Sequence, residues 1–279
     1  VVVVPTNVPV HRHIGIVVPV AHAHNLLANV SDVDGPGAEP FTLTVVNDAT
    51  STQGGRYSTF ADGSWTYHPP ASNTIANDNF SVQVCDSGVP LPPACSNATV
   101  TIALSGPAIW FVDAAATPGG DGTLARPLQT LAAATTAAGV NGRIFKFSGN
   151  YTGGATLLDG QQLIGQGVTG ASFDALFGIT APALSVARPT IAGTRPLVTT
   201  TGGIVHGITL GNGNTIRGIE IGNTSGAGLR GNNFGTLTLG ENRLSGSGQA
   251  LDLTAGTLAQ VPSQTAFDQI TSTSGASNI

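Results

Sequence analysis

The chain contains no methionine and a single lysine, Lys146, among its 279 residues. Its nine arginines are scattered, so no basic stripe exists to follow a nucleic-acid backbone. Charged residues amount to 9 %, far below the usual quarter of a soluble domain. Disorder would need high charge with low hydrophobicity, and this chain has neither. No apolar run reaches the roughly 18 residues that a bilayer-spanning helix requires. The Val-rich opening lacks the charged front and cleavage site of a signal peptide. With no methionine at position 1, the chain is expected to be a processed piece or a segment of something longer. Only two cysteines occur, Cys85 and Cys95, and they form no CxxC. Their spacing suits a disulfide closing a hairpin loop. Such a bridge would imply an oxidising compartment and add roughly 2–3 kcal/mol. Two unpaired thiols are the alternative.

What the chain does have is glycine, threonine, alanine and asparagine around short apolar pieces, the composition of an all-β secreted protein. Between Gly203 and Leu253 the triplets Ile208-Thr209-Leu210, Ile219-Glu220-Ile221, Leu237-Thr238-Leu239 and Leu251-Asp252-Leu253 recur at unequal intervals. Side chains alternate across a strand, so each triplet puts two residues in and one out. Gly211-Asn212, Gly222-Asn223 and Gly231-Asn232 supply residues that tolerate a left-handed corner. Very short strands separated by such corners, without helical period, predict a solenoid with stacked Ile and Leu inside and stacked Asn at the corners.

Residues 1–24 are β-prone but punctuated by Pro5, Pro9 and Pro19. They are expected either to pack on their own chain or to pair with a neighbouring copy as an added strand. His11 and His13, and His22 and His24, would share a strand face and so could be paired metal ligands. Solvent-facing residues are the plainer expectation, since no acid or cysteine nearby completes a set. Residues 25–104 carry strand-like runs over Phe41–Val46, Gly55–Phe60, Ser64–His68, Asn79–Cys85 and Ala98–Leu104. Turn signals such as Asn47-Asp48 and Asp62-Gly63 separate them, a spacing that predicts a β-sandwich.

The run NLLANVSDVDG, the Gly-Gly of TQGGRYS, DGSWTYHPP, NDNFSVQVCDSG and the closing ATVTIAL together resemble the bacterial cadherin-like, immunoglobulin-like repeats of large surface proteins. The resemblance implies an extracellular or bacterial cell-surface setting. It also implies Ca²⁺ ligands at Asp32 and Asp34, with Asp86 of the CDSG element a third candidate. Hard carboxylate oxygens suit Ca²⁺, but six or more are needed, so backbone or a neighbouring domain would have to complete the shell. A solvated turn is the alternative reading of the same residues.

Residues 105–108 read as a linker. Beyond it, Phe111-Val112-Asp113, Gly120-Asp121-Gly122-Thr123, Pro127, Leu131, Ala134 and Gly149-Asn150-Tyr151, followed by GQQLIGQG at 160–167, resemble the opening turn of right-handed parallel β-helix proteins of the pectate-lyase-like superfamily. That resemblance implies a β-helix over 109–279, capped by a helix drawn from Leu128–Ala138. Residues 168–187 break the pattern and are expected to be a loop or insertion.

The superfamily includes polysaccharide lyases and hydrolases. The best site the coils offer is Glu220 with Asp252 and Arg243, where outward members of their triplets would share a face. Arg217, Arg230 and Arg243 recur at equal intervals beside them. Isolated outward charges are more often simply solvated, and His206 reads as packed or surface-exposed. The expectation is an all-β, non-enzymatic structural or adhesive protein: an immunoglobulin-like sandwich followed by a right-handed parallel β-helix. Its expected partners are copies of itself and surface glycans, with a polysaccharide-active enzyme as the alternative.

Overall fold

The structure, a computed structural model, describes residues 4–31, 40–86, 88 and 92–273. It divides into two compact units, Val1–Pro107 with Thr180–Ala187, and Ala108–Ile179 with Arg188–Ile279.

The first unit is built from β1 (Val8–His11), β2 (Ile16–Val18), β3 (Thr42–Leu43), β4 (Val46–Thr50), β5 (Arg56–Thr59), β6 (Trp65–His68), β7 (Asn77–Cys85) and β8 (Cys95–Ser105). Two four-stranded sheets result, in the orders β1-β8-β7-β3 and β2-β6-β5-β4. Along β7, Asp78, Phe80, Val82 and Val84 are buried while Asn77, Ser81 and Gln83 face water. Trp65 and Tyr67 of β6 alternate in the same way. These side chains meet Val8, Val10, Ile16, Val100 and Ile102 in one core, where each large apolar side chain contributes roughly 1.5–3 kcal/mol. Cys85 lies opposite Cys95 in the β7–β8 ladder, and the two form the disulfide that their spacing suggested.

Three expectations for this unit are corrected. Residues 1–24 are not a separate segment, because β1 runs parallel to β8 with Val8 opposite Ile102, and β2 runs antiparallel to β6. β1 and β2 are each paired on one side inside the chain, so the sandwich begins well before residue 25. Pro9 is tolerated because β1 is an edge strand, where a missing N–H costs no ladder bond. Second, His11 and His13 are buried rather than solvent-facing. His13 takes a positive φ of 62° where the chain passes from one sheet to the other. His22 and His24 lie outside any strand with rings 5.0 Å apart. Third, Asn47-Asp48 is not a turn but an irregularity inside β4, where the register shifts between Val46 and Ala49 and Asp48 has a φ of 49°. The expected linker is also tied down: Ser105 still belongs to β8, and the Arg12 guanidinium donates to the Gly106 carbonyl at 2.7 Å.

The second unit comprises β9 (Ile109–Val112), α1 (Leu131–Ala138), β10 (Arg143–Lys146), β11 (Asn150–Thr152), β12 (Ala155–Thr156), β13 (Gln162–Gly165), α2 (Phe173–Phe177), β14 (Leu197–Thr199), β15 (Ile208–Thr209), β16 (Thr215–Arg217), β17 (Glu220–Ile221), β18 (Leu229–Gly240), β19 (Asn242–Gly246), β20 (Leu251–Gln260) and β21 (Phe267–Ser272). All of its strand ladders are parallel. The chain visits three faces in turn. Ile144, Leu163, Ile216 and Leu239 stack on the first face. Tyr151, Val198, Ile221 and Leu244 stack on the second, and Ala155, Ile208, Leu229 and Leu251 on the third. One full turn carries the chain from Ile208 to Leu229 on the third face, or from Ile216 to Leu239 on the first.

That winding explains the irregular triplets of the sequence. Ile208 lies on the third face, Ile221 on the second and Leu239 on the first, so their spacings sample different faces of one turn. Buried asparagines tie one turn to the next through backbone carbonyls. Asn242 donates to the Ile216 carbonyl at 2.8 Å and to the Ala266 carbonyl at 3.3 Å, bridging the turns on either side. Asn214 donates to the Leu158 and Gln161 carbonyls of the preceding turn at 2.7 and 3.4 Å, and Gly231-Asn232 adjoins the bend within β18, where the register shifts between Asn232 and Gly235 and Asn233 has a φ of 56°.

Helix α1 starts later than expected, with Thr130 as N-cap accepting from the Ala133 amide. Leu128 instead bridges to Val112. Leu131, Ala134 and Ala138 join the stacked core beside β9, the last strand of its sheet. The buried Gln161 amide donates to the carbonyls of Thr135 and Gly139, which satisfies groups that a helix C-terminus leaves open. Within 168–187, the short helix α2 packs Phe173 and Phe177 against Phe145 of β10. Residues 180–187 then belong to the first unit, where Ser185 bridges Ile16 and the Val17 amide donates to the Leu184 carbonyl at 3.0 Å.

Candidate functional site: a groove on the third face

The outward residues of the third face form one register row: Thr156, Thr209, Arg230 and Asp252 on β12, β15, β18 and β20. A loop before β15 stands over this row. The Ser225 hydroxyl accepts from the Val205 amide and donates to the Gly202 carbonyl, while Thr200 Oγ1 donates to the Val205 carbonyl and accepts from the Ser225 amide. Clefts of about 550 and 710 Å³ lie on either side of that loop and share Ile204 and His206. The larger is walled by Ser225, Arg230, Gln249 and Asp252.

His206 is approached at both ring nitrogens. Nδ1 accepts from the Ala227 amide at 2.9 Å, and Nε2 faces Arg230 Nη1 at 3.0 Å. A side chain at Gly226 would come within 2.7 Å of His206 Nδ1, so the bare backbone there permits the imidazole to seat. Burial, and then the neighbouring Arg230 charge, hold the imidazole below its ordinary value, against a smaller opposing pull from Asp252. Arg230 Nε is 3.5 Å from Asp252 Oδ2.

The expected trio of Glu220, Asp252 and Arg243 does not share a face. Glu220 and Arg243 are one full turn apart and stand opposite each other on the second face at 3.8 Å. Asp252 falls on the third face instead, in register with Arg230. The even recurrence of Arg217, Arg230 and Arg243 does not match the turn either, so it spreads them over three faces, each with its own acid. Glu241, an acid of the coils left out of the expected trio, has partners of its own. Its carboxylate accepts from Arg217 at 2.8 Å and from the Thr169 amide and hydroxyl at 2.8 and 2.7 Å. Burial works against the charged form, but the Thr169 and Arg217 bonds hold the carboxyl below its ordinary value. Neither Glu241 nor His206 sits in a motif, and only the turn length reveals their partners.

Of the Ca²⁺ candidates, Asp32 and Asp34 lie outside the described residues. Asp86 Oδ1 accepts from the amides of Gly88 and Ala94 at 2.9 Å each, which closes the loop beneath the disulfide. Among the described residues no group of three or more His, Cys, Asp or Glu side chains is placed to hold a metal ion.

Comparison with protein-family models decides the nature of the first unit. Residues 5–103 match the bacterial Ig domain. The match takes in β1 and β2, in keeping with their place inside the sandwich. An Ig-like unit of this kind points to a surface or adhesion-type role. Comparisons with curated proteins and with solved structures gave no match.

Proposed function

We propose that the chain is a non-enzymatic extracellular building block of a bacterial cell-surface stalk or filament, with its second unit a right-handed parallel β-helix. The observation that carries this reading is how the second unit uses its charge. Arg217 pairs with Glu241, Arg243 with Glu220, Arg230 with Asp252 and Arg195 with Asp268. A glycosidase needs two carboxylates flanking one scissile bond. Here each of these acids is answered by an arginine, and the pairs act as ties along the stack. The Ig-like unit supports the surface setting.

Copies would join head to tail through the outer edges of β20 and β21, the last strands of their sheets among the described residues. Rows of exposed Thr and Ser would meet surface glycans. Asp32 and Asp34 would hold Ca²⁺ through their carboxylate oxygens and stiffen the chain there. Electron microscopy of native material with and without a calcium chelator tests the proposal. Regular filaments with a one-chain repeat are expected, with looser joints after chelation. Dispersed monomers that cleave an acidic polysaccharide would overturn it in favour of an enzyme.

A further inference from the structure

We infer that the groove beside His206 is a carboxylate-binding site, with His206 Nε2 and Arg230 Nη1 as its paired donors. The Ala227 amide can only donate, so His206 Nδ1 must be the unprotonated acceptor of that 2.9 Å bond. The proton of the neutral ring therefore sits on Nε2. Nε2 in turn faces Arg230 Nη1 at 3.0 Å, and a guanidinium has donors only. Two donors thus confront each other without an acceptor between them. A carboxylate seated across the pair accepts from both and turns a repulsive contact into two charge-assisted hydrogen bonds.

The surroundings favour the same occupant. The larger cleft, about 710 Å³, is lined by both His206 and Arg230, and Ser225 and Gln249 add polar groups to its wall. Asp252 engages the Nε side of the guanidinium at 3.5 Å, whereas Nη1 is the nitrogen set against His206. Among the described residues, the charged groups set against His206 are Arg230 and Asp252, and no acid bonds Nε2. The site does not depend on filament assembly and stands or falls separately from it.

The test uses the full chain and acetate as the probe. The His206 ring resonances are followed by NMR, assigned with a His206→Gln variant, at constant ionic strength set with chloride. Saturable shifts of the His206 ring resonances are expected as acetate is added. Arg230→Gln should weaken acetate binding roughly tenfold or more, since one charged donor is lost. Arg230→Lys should retain part of it. Asp252→Asn should strengthen it, because a competing carboxylate is removed. An unchanged amide spectrum outside the groove shows that these exposed positions still fold. Absence of a saturable shift, equal binding by the Arg230→Gln variant, or sulfate binding more tightly than acetate would each overturn the assignment.

Discussion

Replacing Lys146 by Met is expected to stabilise the second unit at neutral pH. Lys146 is the last residue of β10 and lies opposite Val112, whose side chain belongs to the stacked interior, so the amine points inward. It is fully buried, and Nζ has no hydrogen-bond partner among the described residues. Nζ lies over the face of Tyr151, 3.6 Å from the ring centroid. Burial lowers its pKa from 10.5 to about 7. The unfolded chain therefore holds a proton between those values that the folded chain has released. Stability from this group is complete above the unfolded value and is lost as pH falls toward the folded one. At pH 7 the linkage costs about 4 kcal/mol, and at pH 9 about 2 kcal/mol, from 1.36 kcal/mol per tenfold change. The Tyr151 face offsets up to about 2 kcal/mol of this, so these figures are upper ends. Met fills nearly the same volume without a charge. Denaturant titrations at pH 7 and pH 9, in a Trp65→Phe background where Trp110 alone reports, measure the effect. The unmodified Lys146 chain should gain up to about 2 kcal/mol from pH 7 to pH 9, and Lys146→Met should lose that gain while being more stable at pH 7. A Met variant less stable at pH 7, or one with the same pH slope, would refute the reasoning.

In the Ig-like unit, Asp78 is buried and accepts from the Ser51 hydroxyl, the Tyr67 hydroxyl at 2.7 Å and the amides of Gln53 and Asn79 at 2.8 and 2.7 Å. Asp78→Ala leaves these donors without their acceptor and should cost about 3 kcal/mol in a denaturant titration followed by Trp65 fluorescence. Glu241→Gln should cost about 2 kcal/mol by weakening the bonds to Arg217 and Thr169. Because the Glu241 carboxyl is held below its ordinary 4.5, its contribution is present above that value and is lost as pH falls through the folded one. The variant should therefore show a shallower loss of thermal stability on acidification.

Much of the fold was legible in local chemistry. Alternation in Asn79–Cys85 and Ala98–Leu104 marked the central hairpin, because one face of each strand must be buried. Cys85 and Cys95 flank that hairpin's loop, so their pairing followed from spacing. The helix that covers the first turn announced itself as the one Ala-rich stretch. Less was legible where partners are remote in sequence. The Val-rich N-terminus looked separate because its partners, Ile102 and Leu104 in β8 and Trp65 and Tyr67 in β6, lie far along the chain.

The candidate groove shows the division most clearly. Sequence alone indicated that Glu220 and Asp252 are outward residues of short strands, since alternation depends only on neighbours, and that Arg230 and Arg243 recur near them. It could not say which of them meet, because that depends on the length of a turn. The tertiary structure set that length, laying Leu229 on Ile208 and Leu239 on Ile216 over three faces. This joined Glu220 to Arg243, sent Asp252 to Arg230, and brought His206 to Arg230 across a loop that carries no motif. Register between strands is fixed by how whole turns pack on one another, and no single strand carries that information.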